Sequence, residues 1–177
     1  MLKKLLLLVL LSTSFFLSLV QPALAQQDPL SLLFSQLKSA QDQKSAIAIE
    51  NEIWQRWFQS GSEEIDDLMQ QAMRKRGSYD FNGAIEILNK VIELNPNYPE
   101  AWNQRATVHF HQDKLEDALW DIAKALELEP RHFGALAGRA IIRLRQNKPV
   151  IARRNIEEAL TLHPYLKERG FFPDLMQ

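Results

Sequence analysis

Residues 99–132 read PEAWNQRATVHFHQDKLEDALWDIAKALELEPRH, and the rest of the chain is organised around copies of them. Pro130, near the end of this stretch, is matched by Pro96 and Pro164, each 34 residues away. The segments leading into these prolines, VIELNP, ALELEP and ALTLHP, are written alike. A fixed period in this range marks a stack of repeated units and outranks single-residue clues. Inside the stretch, Trp102, Ala106, His109 and Phe110 fall on one side of a helix that starts at Pro99, where the missing N–H costs nothing. Gln112, Asp113 and Lys114 form a short polar break. Leu115, Ala118, Leu119, Ile122, Ala125, Leu126 and Leu128 then resume a helical stripe that Pro130 ends. Two helices joined by so short a turn pack antiparallel.

The same pattern recurs one period back as Leu68, Ala72, Lys75, Ala84, Leu88, Val91 and Pro96. One period forward it recurs as Leu136, Ala140, Arg143, Ala152, Ile156, Ala159 and Pro164. In this spacing Trp102, Ala106, Ala118, Ile122, Ala125 and Pro130 resemble the tetratricopeptide repeat (TPR). The resemblance covers about residues 65–166. His109 stands where the family usually has Tyr, Arg105 stands where it usually has Leu, and Val91 interrupts the small-residue slots. The resemblance implies an all-α protein, a right-handed α-solenoid of antiparallel helix pairs, with repeats at 63–98, 99–132 and 133–166. Leu68, Trp102 and Leu136 take one packing slot, and Ala72, Ala106 and Ala140 another. Ala84, Ala118, Ala152, Ala125 and Ala159 are small where helices approach closely. Binding of other proteins is the property the family shares.

Residues 1–25 read as a secretory leader. Lys3 and Lys4 precede an apolar run over residues 5–20, and Ala23-Leu24-Ala25 offers a signal-peptidase site, with cleavage expected after Ala25. A retained anchor needs about 20 apolar residues, and Ser12, Thr13, Ser14 and Ser18 dilute this run. The expected destination is outside the cytoplasm, the periplasm if the chain is bacterial, with no stable membrane span once the leader is gone. The chain has 21 basic and 22 acidic residues and no Cys, so its stability rests on burial rather than disulfides. Losing Lys3 and Lys4 leaves it mildly acidic, without an overall bias toward nucleic acid or membrane.

Residues 26–62 read as a helical hairpin, a degenerate repeat expected to cap the stack in front of the first repeat. Leu30, Leu33, Phe34 and Leu37 stripe its first helix, and Ile47, Ile49, Ile53, Trp54 and Trp57 its second. Glu50 and Ser62 fill slots that hold Ala and Pro in the true repeats. Trp54 and Trp57 are expected to cover the apolar end of repeat one. The IENEIWQRW segment, residues 49–57, also resembles an uncharacterised group of exported bacterial TPR proteins. Ser62 is the expected N-cap of the next helix. Residues 167–177 form a short apolar tail. Its Phe171, Phe172, Leu175 and Met176, with Leu166 just before it, are expected to fold back over the exposed end of repeat three, the alternative being burial against another molecule.

A catalytic set does not assemble. Without Cys there is no thiol chemistry and no Cys-based zinc site. His109 and His111 lie two apart on a helix and face different ways, while His132 and His163 sit at equivalent repeat ends. Neither a metal nor a cofactor is expected, and Glu63-Glu64, Asp66-Asp67 and Glu157-Glu158 read as solvated or helix-start charges. Gly134 and Gly138 read as close-packing positions inside a helix. The resemblance puts the first helix of each repeat along a concave groove. Carried over, the groove slots are Met69, Met73 and Arg76, then Asn103, Thr107 and Phe110, then Ala137, Ile141 and Leu144. This lining is mostly apolar. The family's carboxylate-clamp slots hold Met69, Met73, Gln104, Gly134 and Gly138 here, so no clamp for a C-terminal carboxylate is expected. Some groove residues would pack against the N-terminal hairpin on the blander reading. Repeat two is net −4 and repeat three net +5 between their prolines. The plainer account of that asymmetry is inter-repeat ion pairing, and the sharper one is attraction for an acidic peptide or anionic headgroups. The expected function is an exported protein-interaction module that binds a peptide or partner protein. Structural self-association as a homo-oligomer is the alternative. Nucleic acid is not an expected partner.

Overall fold

The computed structural model describes residues 28–173; the leader, Leu175 and Met176 lie outside the described residues. Among these residues the chain forms α1 (Pro29–Lys38), α2 (Gln43–Trp57), α3 (Glu63–Gly77), α4 (Phe81–Leu94), α5 (Pro99–His111), α6 (Leu115–Leu128), α7 (Phe133–Arg145) and α8 (Pro149–Leu162). A 3-10 turn, Lys167–Phe171, follows. No described residue is in a strand. The protein is all-α, and α3–α4, α5–α6 and α7–α8 are antiparallel pairs packed in sequence.

The period is written into the backbone as well as the side chains. Each pair turns on a residue with positive φ at the same place in the repeat: Tyr79 at 63°, Asp113 at 61° and Asn147 at 58°. In each turn the following N–H reaches back five residues: Asp80 N to Lys75 O, Lys114 N to His109 O, and Lys148 N to Arg143 O. This satisfies carbonyls left open at the helix end. Asp28, Asp42 and Asp80 cap their helices through the side chain. Ser62 takes the N-cap position of α3, but its hydroxyl makes no capping bond. Instead Ser62 N donates to Ser60 Oγ, which in turn donates to Ser62 O.

The small-residue slots are closed. Ala72, Ala84, Ala118, Ala125, Ala140, Ala152 and Ala159 are fully buried, and Ala106 nearly so. Trp102 is buried between α5 and α6, and its indole N–H donates to Pro96 O at 2.9 Å. Arg105 explains its departure from the usual Leu: Nε and Nη2 grip Asp121 of α6 at 2.9 and 2.7 Å. The guanidinium also lies over the Trp102 ring. A forked, nearly buried pair replaces an apolar contact across the hairpin. Leu136 is buried, whereas Leu68 in the equivalent slot is only half-buried. Pro130 is exposed and acts as a helix terminator rather than a packing residue.

The apolar core is divided between two clusters, and the division places the N-terminal hairpin at the unexpected end of the stack. One cluster joins α3–α6 and takes in Ala135 and Ile142 of α7. The other joins α1 and α2 to α7, α8 and the tail through Leu33, Phe34, Leu37, Ile53, Trp57, Phe133, Leu136 and Ile156. Trp54 and Trp57 therefore do not cover repeat one. Trp57 lies against Phe133 at 4.9 Å and stacks on His132 at 4.1 Å. The physical reason lies in the two ends of the stack. The outer side of α3 presents Asp67, Gln70, Gln71 and Arg74 to solvent and needs no cover. Repeat three offers Phe133, Leu136 and Ile156, which burial stabilises. Polar bonds complete the docking. Glu50 Oε2 is 3.1 Å from His163 Nε2, 113 residues away, and Arg131 Nη1 donates to Ser31 Oγ across 100 residues. The tail does fold back on repeat three, with Leu166 and Phe172 buried in the same cluster, while Phe171 stays exposed.

Two outcomes follow from this packing. Trp102→Ala should cost about 3–5 kcal/mol, the usual range for emptying a large aromatic site, as read from denaturant unfolding; a loss under about 1 kcal/mol would place the ring outside the core. Trp57→Ala should raise amide exchange in α7 and α8 while leaving α3 and α4 protected. Faster exchange in α3 first would mean that the hairpin serves repeat one instead.

Candidate functional site

The concave side is formed by α3, α5 and α7, and its nine groove positions divide into rows along the helices. Met69, Asn103 and Ala137, the row nearest the helix N-termini, are buried at 1, 7 and 2% exposure. Met73, Thr107 and Ile141 form the middle row, Arg76, Phe110 and Leu144 the far row, and all six are half-buried. The hairpin lies at the closed end. The Trp54 ring sits where a Cβ on Gly134 would fall, 2.7 Å from its Cη2. Phe58, at the end of α2, packs on the first cluster. Gly134 is thus required by the ring above it. A Cβ on Gly138 would make only ordinary contact with Ile122, at 3.5 Å.

Beneath the closed row runs a buried polar cluster that joins α3, α5 and α7. The Glu100 carboxylate is fully buried. It accepts from Asn103 Nδ2 at 3.2 Å, from Gln104 Nε2, and from His132 Nε2 at 2.9 Å. His132 Nδ1 accepts the Ala135 N–H at 3.2 Å, capping α7, so the ring hydrogen sits on Nε2 and points at Glu100. Arg76 Nη1 donates to Gln104 Oε1. Burial holds the Arg76 guanidinium below its ordinary value, with the Glu100 charge acting in the opposite sense. The single expected groove cation is therefore turned into the protein. Sequence inspection missed this cluster. Its only signs were Glu100 and Gln104 four apart on the inner side of a helix and a His at a repeat end, a pattern equally open to a solvated face.

What remains open is a cleft of about 260 Å³ between α5 and α7. Asn103, Thr107, Phe110, Gly138 and Ile141 line it, and Glu168 of the 3-10 turn stands at its edge. Two of its polar side chains are committed internally, the Thr107 hydroxyl donating to Asn103 O at 3.0 Å and the Asn103 amide to Glu100, while His111 and the Glu168 carboxylate complete its polar lining. Phe110 lies beneath the Arg145 guanidinium, which pairs with Asp113 at 3.1 Å. Leu144 faces a separate cleft with Val150 and Phe171. Met73 packs on the first cluster, and Ala137 is buried in the second. Of the nine groove positions, the cleft gathers Asn103, Thr107, Phe110 and Ile141.

The basic side chains of repeat three are largely engaged. Arg131 pairs with Glu129 at 2.9 Å, Arg139 with Glu158 at 2.7 Å, and Arg153 with Glu157 at 2.9 Å. Arg143 donates to Gln146 at 2.7 Å, and Gln146 bonds Glu116 of repeat two. The Glu129 hydrogen bonds hold Arg131 above its ordinary value. Among the described residues no group of three or more His, Asp or Glu is arranged to hold a metal ion. No described helix is long and apolar enough to cross a membrane.

Comparison with known proteins points one way. The family described as Tetratricopeptide repeat matches residues 87–119. A TPR repeat-containing protein of Rhizobium etli is 40% identical over 93 residues, 52% of this chain and 46% of that one. A DnaJ protein of Oryza sativa is 36% identical over 57 residues, 32% of this chain and 12% of that one. The chain thus spans less than half the length of either curated relative. Among solved structures, the first TPR of Spaghetti (RPAP3) bound to the HSP90 peptide SRMEEVD superposes with a TM-score of 0.61 at 22% identity. It covers 66% of this chain and 93% of that one.

The Glu50 pair makes the docking pH-dependent. The hydrogen bond from His163, then that from Trp54, hold the Glu50 carboxyl below its ordinary 4.5, against partial burial. A depressed carboxyl contributes stability that is fully present above its unfolded value and is lost as pH falls through the folded one. The wild type should therefore exceed Glu50→Gln in melting temperature at pH 7, with the gap closing as pH falls below 4.5. A gap that stays constant into acid would remove the carboxylate from the docking.

Proposed function

We propose that this chain, which is a tetratricopeptide-repeat protein, is an exported, non-catalytic module that holds an apolar segment of a partner protein or peptide between α5 and α7. The observation that carries this reading is the cleft. It offers Phe110, Ile141 and the Gly138 backbone, while the polar groups of Asn103 and Thr107 are bonded internally. Such a surface gains from excluding water, about 25 cal/mol per Å² of apolar area, with His111 and Glu168 as the remaining polar lining. The solved neighbour of the same fold carries a peptide, which supports a groove reading in general terms. That peptide ends in EEVD, three acidic residues around a Val. The clamp slots of this chain hold Met69, Met73, Gln104, Gly134 and Gly138, so the segment bound here is read as apolar instead.

The leader features, Lys3 and Lys4 before an apolar run and Ala23-Leu24-Ala25 after it, support export and a place in a cell-envelope assembly as an adaptor. The absence of Cys and of a catalytic set in the sequence supports a binding rather than a chemical role.

The test is affinity capture from an envelope extract with the native chain and with Phe110→Glu/Ile141→Glu, both checked for unchanged helical content. The native chain should retain a discrete partner that the variant loses, with affinity lowered at least about 30-fold, the scale of a central apolar anchor. Equal retention by both would move the binding surface elsewhere.

A further inference from the structure

The α1–α2 hairpin is covalently joined to repeat one and structurally joined to repeat three and to Arg131 and His132 at the end of repeat two. Its docking bonds and ring contacts go to Arg131, His132, Phe133 and His163. Phe58 packs on the first cluster, and the link at residues 59–62 leads into repeat one. That link bonds mainly to itself and to its near neighbours: Ser60 Oγ to Ser62 O, and Ser60 N to Asp66 Oδ1 at 2.8 Å. Gly61 sits in it at φ 83°, a conformation open to glycine and easily exchanged for an extended one. The chain has no Cys, so no disulfide holds the hairpin to its own repeat three.

We infer that the hairpin is exchangeable between copies: the face made by Phe133, His132 and His163 takes α1–α2 of a second chain, giving a reciprocal dimer. The partner is a second copy because the fitted surface is known from the closed chain. Trp57 stacks on His132, Trp54 enters over Gly134, and Glu50 meets His163. Every one of these contacts is remade in trans, and the link at residues 59–62 is the part that must change. Short tethers give the closed form an effective concentration in the millimolar range. The free chain at micromolar concentration is therefore a monomer, and exchange takes over where copies are crowded or the link cannot close.

Two experiments test this. Deleting residues 60–62 removes the slack needed for closure, and light scattering should then give twice the mass of one chain, with helical content kept. A shortened chain that stays folded and monomeric overturns the inference. Should the shortened chain not fold, the second experiment decides. Full-length Glu50→Lys and His163→Glu each place a mismatch in their own closure, but the Lys of one meets the Glu of the other. Refolded together from denaturant, they should yield a one-to-one mixed dimer that neither forms alone, increasing with total concentration. Two populations of monomer after co-refolding would show that the hairpin docks only in cis.

Discussion

Trp57 lying on His132, with Glu50 reaching His163 beside it, is the contact on which the rest of the molecule depends. It ties the N-terminal hairpin to the far end of a stack whose near end the hairpin is attached to. Ala46, Ile53 and Trp57 along α2 all enter the cluster formed with α7 and α8. The helix therefore lies along repeat three for most of its length, and the link at residues 59–62 carries the chain back to repeat one.

An ordinary repeat stack behaves as a one-dimensional array, in which each unit feels only its neighbours and the ends fray independently. Here contacts across 100 and 113 residues close that array. Closure has a consequence for the groove. The row of Met69, Asn103 and Ala137 is sealed at the hairpin end, and the Glu100 cluster beneath it links three successive inner helices through hydrogen bonds rather than apolar contact alone. A buried carboxylate with three donors is costly to disturb, because each partner left behind is an unsatisfied group in a dry site. The open part of the groove is therefore presented by helices held in fixed relation.

The repeats were legible because their physics is local and repeated. Small residues must recur where helices approach, and Ala84, Ala118 and Ala152 do, each fully buried. The tail was legible for a related reason, since Leu166 and Phe172 had an adjacent apolar face to cover. The hairpin's place was not legible, because nearest-neighbour reasoning puts it on repeat one. The signals against that placement were Asp67, Gln70, Gln71 and Arg74 on the outer side of α3, and Glu50 in a slot that packing would fill with Ala. Both are visible in the sequence, yet a polar helix side and an unpaired Glu acquire meaning only once His163 is found opposite. Arg76 was misplaced on the same grounds: its partner Gln104 lies on the next repeat, and no periodic rule points a guanidinium inward.

A double-mutant cycle between Trp57→Ala and Phe133→Leu measures the tie most directly, since the two rings meet at 4.9 Å but belong to opposite ends of the chain. Equilibrium unfolding of the wild type, both single variants and the double variant should give a coupling energy of about 0.5–3 kcal/mol, as for residues in contact. Strict additivity, within about 0.3 kcal/mol, would mean that the hairpin does not rest on repeat three in solution, and the closed architecture would have to be abandoned.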